Sequence, residues 1–122
     1  KLKMPDAWDR GTIKCKAYWT AASGSGGVAI GISAGALSDD DAIDAALGTE
    51  VTVTDTLITA GDMHATAASS AITVGGSPAL NDVIVIQIAR KVANASDTLA
   101  VDMRLLGIAI QYTESSTEPS AW

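Results

Sequence analysis

The sequence predicts an all-β fold, an antiparallel β-sandwich of about eight strands with one short helix. Three observations lead there. Apolar residues alternate with polar ones at period two along most of the chain. Turn signals separate these runs at regular intervals. Only one segment carries a helical pattern, whereas an α/β fold needs several long ones.

The alternation starts at once, with Leu2 and Met4 on one face between Lys1 and Lys3. A chain that begins inside a strand is expected to be preceded by further residues in its parent protein. Pro5-Asp6 opens the first break and Asp9-Arg10-Gly11 closes it. Residues 12–19 form the next strand. Ile13, Cys15, Ala17 and Trp19 face the core, and Thr12, Lys14, Lys16 and Tyr18 face outward, the lysine stems covering apolar surface.

Residues 21–27 are a Gly- and Ser-rich loop. Val28, Ile30 and Ile32 then alternate with Ala29, Gly31 and Ser33, and Gly31 leaves room for another backbone or subunit. The helical segment is 38–47. Ser38 stands at its N-cap with Asp41 in the capping-box position, and Asp39 and Asp40 suit the positive helix end. Ile43, Ala46 and Leu47 share a face, and Gly48 stops the segment after about two to three turns.

Strands then resume. Val51, Val53, Asp55 and Leu57 alternate with threonines; 62–67 is a weak strand and 71–74 a short one, followed by the turn Gly75-Gly76-Ser77-Pro78. Residues 83–90 are apolar on both faces at first, as in a central strand covered on both sides. A polar loop, 91–99, leads to the last strand, where Leu106, Ile108, Ile110 and Tyr112 share one face. The domain thus spans 1–113, and 114–122 reads as a loose polar tail.

The chain has 122 residues, enough for one domain with its own core. Phe is absent and aromatics make up 4%, so Ile, Val, Leu and Ala must fill that core. The formal net charge is -6 with no basic cluster, which disfavours nucleic acid and anionic membranes as partners. No signal peptide is visible, and no apolar run is long enough to span a bilayer as a helix.

No convergent chemistry stands out, so no catalytic, cofactor or metal residue is assigned. Cys15 is the single cysteine and shares the core face, which makes it a small buried hydrophobe. His64 is the single histidine and reads as an exposed or interfacial strand residue; a zinc site would need three copies gathered on a threefold axis. Asp39, Asp40, Asp41 and Asp44 could ligate calcium, but the EF-hand Gly and distal Glu are missing, and a helix start explains them without a metal. No nucleophile elbow, P-loop or dinucleotide fingerprint occurs. Trp19 belongs to the core, and Trp8 is placed to seal one end of the sandwich. Trp122 is either an anchor onto a neighbouring subunit or disordered.

The run Met4-Pro5-Asp6-Ala7-Trp8-Asp9-Arg10-Gly11-Thr12 resembles the opening of a domain found in proteins of tailed bacteriophages. The resemblance continues through Asp39-Asp40-Asp41-Ala42-Ile43-Asp44, Gly48-Thr49 and Val53-Thr54-Asp55-Thr56. It extends over Ala71-Ile72-Thr73-Val74, Ser77-Pro78-Ala79, Asp82 and the run from Ser96 to Gly107. It implies a virion-associated, jelly-roll-like domain without catalytic residues. A capsid decoration or cement protein on the particle surface is then expected, assembled as a homotrimer and touching the major capsid protein or fibre and tail proteins. A receptor- or carbohydrate-binding fibre head, contacting a host surface glycan through loops 21–27 and 91–99, is the alternative. An enzyme such as a depolymerase is the least favoured reading.

Overall fold

A computed structural model describes residues 1–115. The described strands are β1 (Leu2–Lys3), β2 (Trp8–Thr20), β3 (Gly26–Leu37), β4 (Val51–Leu57), β5 (His64–Ala65), β6 (Val74–Gly75), β7 (Val83–Arg90) and β8 (Arg104–Glu114). They form two sheets. The larger runs β1-β7-β3-β4, with β6 also pairing β3, and the smaller runs β5-β2-β8. Every pairing is antiparallel except β3 with β6. The fold is an all-β sandwich.

The alternation expected for β2 is realised. Ile13, Cys15, Ala17 and Trp19 are buried, while Lys14 and Lys16 are exposed. These side chains meet Val28, Ile30, Ile32, Ala34 and Ala36 of β3 in a single core. Trp19 is the largest fully buried side chain, and its indole N–H donates to Asp55 Oδ2 on β4 at 2.8 Å. That bond explains why an aspartate stands in the inward row of β4 between Val53 and Leu57: the buried donor needs an acceptor.

The strand covered on both faces is β3 and not β7. From Val28 to Ala36 every residue of β3 is buried, whereas β7 buries Ile84 alone and leaves Val83 40% exposed. The outward row of β3 is Gly27, Ala29, Gly31, Ser33 and Gly35, and it is small because other parts of the chain lie directly on it. A Cβ on Gly35 would meet Leu47, one on Gly31 the Glu50 carboxylate, and one on Gly27 the Ser96 carbonyl. The close approach expected at Gly31 therefore comes from within the same chain. Lys91 closes this strap by pairing with Glu50 at 2.9 Å. Both partners are over a third exposed, so the ion pair itself adds little.

The expected short helix over 38–47 does not form, and among the described residues there is no helix. Half of the capping box is present, since the Ser38 N–H donates to Asp41 Oδ2 at 2.8 Å. The other half is diverted: the Ser38 hydroxyl donates to Asp82 Oδ1 at 2.7 Å, across to the segment before β7. Asp40 has φ +67°, which ends any right-handed helix at that point. The segment makes only isolated turns, Asp41 N to Ser38 O and Ala45 N to Ala42 O. Ile43 remains 83% exposed, so the supposed apolar face never meets the core.

The weak strand expected over 62–67 shrinks to His64–Ala65, and that over 71–74 to an Ile13–Ile72 bridge followed by β6. Between them side chains replace the ladder. Thr66 Oγ1 accepts from Ala17 N and Ser69 Oγ accepts from Cys15 N, each at 3.0 Å. The same hydroxyls donate to the carbonyls of Ala67 and Ser70, which satisfies two buried polar side chains.

At the far end of β2 the last strand runs on through Glu114, and the Ser115 N–H donates to the Ala7 carbonyl. Strand order thus continues past the domain limit of 113. The expectations for residues 116–122, including Trp122, lie outside the described residues.

Gly48 tests the strapped face most directly. Its N–H donates to the Ala34 carbonyl at 2.9 Å, and a Cβ there would overlap the Thr73 backbone oxygen. Gly48→Ala is expected to lower stability by about 1–3 kcal/mol. Gly107→Ala, where a Cβ meets nothing within 4 Å, is expected to stay within about 0.5 kcal/mol. Urea unfolding followed by tryptophan fluorescence measures both.

Candidate functional site

One end of the sandwich collects several strand termini. β2 ends there at Thr20, β4 at Leu57 and β7 at Arg90, while β3, β5 and β8 begin there. The connecting loops are therefore neighbours. Gly61 N–H donates to the Ala21 carbonyl at 2.8 Å and the Thr20 hydroxyl donates to the Asp62 carbonyl at 2.7 Å, joining 58–63 to the end of β2. The Gly27 carbonyl accepts from both Thr98 N and Leu99 N at 2.9 Å, and Gly27 N donates to Thr98 Oγ1. The two loops singled out in the sequence, 21–27 and 91–99, are thus knit together.

Arg90 fixes this end. Its inward position on β7 faces Ile30 across the ladder, and its guanidinium turns along the sandwich edge. Nε donates to Asp97 Oδ2 at 2.9 Å and Nη2 to Asp97 Oδ1 at 2.7 Å, a two-point grip on a carboxylate that is 3% exposed. Nη1 donates to the Val101 carbonyl at 2.6 Å, and Nη2 also reaches the Leu99 carbonyl. Asp97 in turn accepts from the Ala29 N–H at 3.1 Å. The Arg90 hydrogen bond, helped by Ala29 N–H, holds the Asp97 carboxyl below its ordinary value against the opposing effect of burial. The Arg90 guanidinium is raised by the same pair.

On this rigid frame the loops present apolar side chains to solvent. Ile58 is 82% exposed, Val92 71% and Met63 64%, and Leu105 and Leu106 follow at the start of β8. At the opposite end only Ile43 and Val83 are exposed among the large hydrophobics described. Exposed apolar side chains grouped in this way are a general feature of contact surfaces.

The concave surfaces are shallow. An open groove of about 410 Å³ on the outer face of β2 and β8 is lined by Lys14, Lys16, Ala68, Ala109 and Gln111, with Cys15 and Ile110 at its floor. A second, of about 250 Å³, adjoins it at Lys14 and Gln111 and adds Thr12 and Thr113. The two lysines give this face a positive character on an acidic chain. Beneath Trp8 a cavity of about 10 Å³ is bounded by Met4, Pro5, Asp6, Asn81 and Asp82. The Trp8 indole N–H is buried and has no partner among the described residues, and the space is about that of one water.

The other residues read from the sequence have structural partners. Cys15 is buried, and burial pushes its thiol up, away from the reactive thiolate. His64 Nε2 accepts from Ile58 N at 2.9 Å, which leaves the proton on Nδ1 for the Asp62 carbonyl at 3.0 Å. Its ring leans on Trp19 with centroids 5.1 Å apart. His64 therefore ties the 58–63 loop to the core. Among the described residues no group of three His, Cys, Asp or Glu side chains converges as a metal site, and the aspartates of 39–44 are spread along an exposed loop.

Protein-family models, curated proteins and solved structures show no match to this chain. The resemblance to phage domains accordingly rests on the residues quoted for it.

Sequence reasoning did not find the Arg90–Asp97 clamp. Seven positions separate the two, across a loop whose path local pattern does not specify.

Arg90→Ala is expected to cost about 2–4 kcal/mol at neutral pH, because it leaves Asp97 buried and unpaired. The lowered Asp97 value means that the pair stabilises the fold fully above about pH 4, the ordinary carboxyl value. That contribution is lost as pH falls through the lower folded-state value. Asp97→Asn should therefore flatten the acid limb of stability, measured by urea midpoints from pH 5 downward.

Proposed function

We propose that this protein is a non-enzymatic structural component of a tailed-bacteriophage virion, a capsid decoration or cement protein. It would assemble as a symmetric oligomer on the particle surface and bind the major capsid protein or fibre and tail proteins. The observation that carries this reading is the apolar tip: Val92 on the loop that Arg90 and Gly27 lock to the sandwich, and Ile58 and Met63 on the 58–63 loop, tied down through Gly61, Asp62 and His64. A surface fixed in this way loses little conformational entropy when it docks on another protein. The phage-like order of motifs along the chain supports the particle as its setting, and the jelly-roll-like character implied by it agrees with a two-sheet sandwich. The net charge of -6 weighs against nucleic acid and anionic membrane.

The second reading, a receptor- or glycan-binding fibre head, draws on the junction of loops 21–27 and 91–99 at Gly27. Neither loop carries an aromatic side chain for stacking on a sugar.

Antibody labelling of intact particles in the electron microscope tests the assignment. Label over the head is expected; label at the tail tip or fibres would favour the second reading, and unlabelled particles would defeat both. The double variant Ile58→Asp, Val92→Asp changes two exposed side chains and should keep its unfolding midpoint. It is expected to lose binding to particles that lack the native protein, in a co-sedimentation assay.

A further inference from the structure

Among the described residues, the outer edge of β8 is the longest unpaired strand edge in the sandwich. β8 pairs β2 on one side through nine residue pairs between Arg104 and Glu114, and among the described residues no strand pairs its other side. The neighbouring side of the larger sheet does not close the gap, because β4 and β6 lie over the β5 side and leave β7 and β1 facing the β8 side without pairing it. The consequence shows in burial. Ala17, Cys15 and Ile13 of β2 are 0–1% exposed, yet their cross-strand neighbours Ile108, Ile110 and Tyr112 of β8 are only half-buried.

An edge of this kind invites pairing with another chain, and monomeric proteins guard against it with lysine, proline or inward charges. β8 contains none of these between its ends. Its guards are one irregularity, where Leu106 falls between the Tyr18–Gly107 and Trp19–Leu105 pairs, and a charge at each terminus. Those charges are Arg104 and Glu114, opposite in sign and equally distant from Ala109.

We infer that β8 is the contact between two copies of this chain, paired antiparallel about a twofold axis near Ala109. That register places Ile108 opposite Ile110 of the second copy, on the core-facing side. It brings Arg104 of each copy to the Glu114 end of the other, so both ends of the contact carry opposite charges. The smaller sheets join into one, with three strands from each copy, and Leu105 and Leu106 enter the contact. The surface is self-complementary, as a twofold contact requires. Net charge of -6 on each copy opposes association, and physiological salt weakens that repulsion with a screening length of about 8 Å. The inference stands on the strand edge and does not depend on where the protein sits in a virion.

Sedimentation velocity of the full chain at micromolar concentration tests it, with thermal melts to confirm folding. Two-chain mass is expected for the native sequence. Arg104→Glu or Glu114→Arg places like charges at both ends, and each is expected to weaken the dimer about tenfold. The double reversal Arg104→Glu, Glu114→Arg restores the opposite pairing and should recover two-chain mass. Should a reversal lower the melting point, Leu106→Lys provides a separate edge block, expected to give one-chain mass. One-chain mass for the native protein would overturn the inference. So would three-chain mass, which fits a threefold assembly, or two-chain mass unmoved by both reversals and by Leu106→Lys.

Discussion

The double burial of β3 is the constraint on which the rest of the sandwich depends. A strand with no solvent on either face must satisfy every backbone group internally and leave no space unfilled. β3 meets the first demand through β4 and β6 along one edge, and β7 followed by residues 91–99 along the other. It meets the second with two unlike rows. Val28, Ile30 and Ile32 fill the space toward β2, and glycine, alanine and serine on the other face admit the strap from Leu47 to Glu50. A larger side chain in that second row would push the strap away and expose the strand.

Where the ladder cannot supply a partner, a polar side chain does. Thr66 and Ser69 bond the open edge of β2, Asp97 bonds Ala29 on β3, and Asp55 bonds the indole of Trp19. These groups are scattered in sequence but lie where a strand ends early or an indole is buried. Arg90 extends the pattern to the loops, since one guanidinium holds Asp97 and two carbonyls of the segment leading into β8. The apolar side chains of the tip thus stand on loops whose backbone is hydrogen-bonded to the sandwich.

Much of this was legible beforehand. Val51–Leu57 and Val83–Arg90 begin and end where the alternation does, and the core face of β2 follows its pattern residue by residue. The 38–47 segment was misread because capping residues are a local signal, and Ser38 gives its hydroxyl to Asp82, more than forty positions away. Without an apolar partner for Ile43, a helix there had nothing to pack against. The site was less legible than the fold. The loops 21–27 and 91–99 were visible as loops, but their junction at Gly27, the Arg90 clamp and the exposure of Ile58 and Val92 were not.

The sequence by itself determined that the chain forms strands, which side of most strands is apolar, and that the core is aliphatic. Period-two alternation is a property of neighbouring residues, and a half-buried strand needs nothing else to declare itself. Tertiary structure alone decided that β3 and not β7 is covered twice, that the capping box yields a turn, and that β8 pairs no second strand among the described residues. Each of these depends on which distant segment lies alongside. A run such as Val83–Arg90 has the same pattern whether its second face meets a strap or solvent.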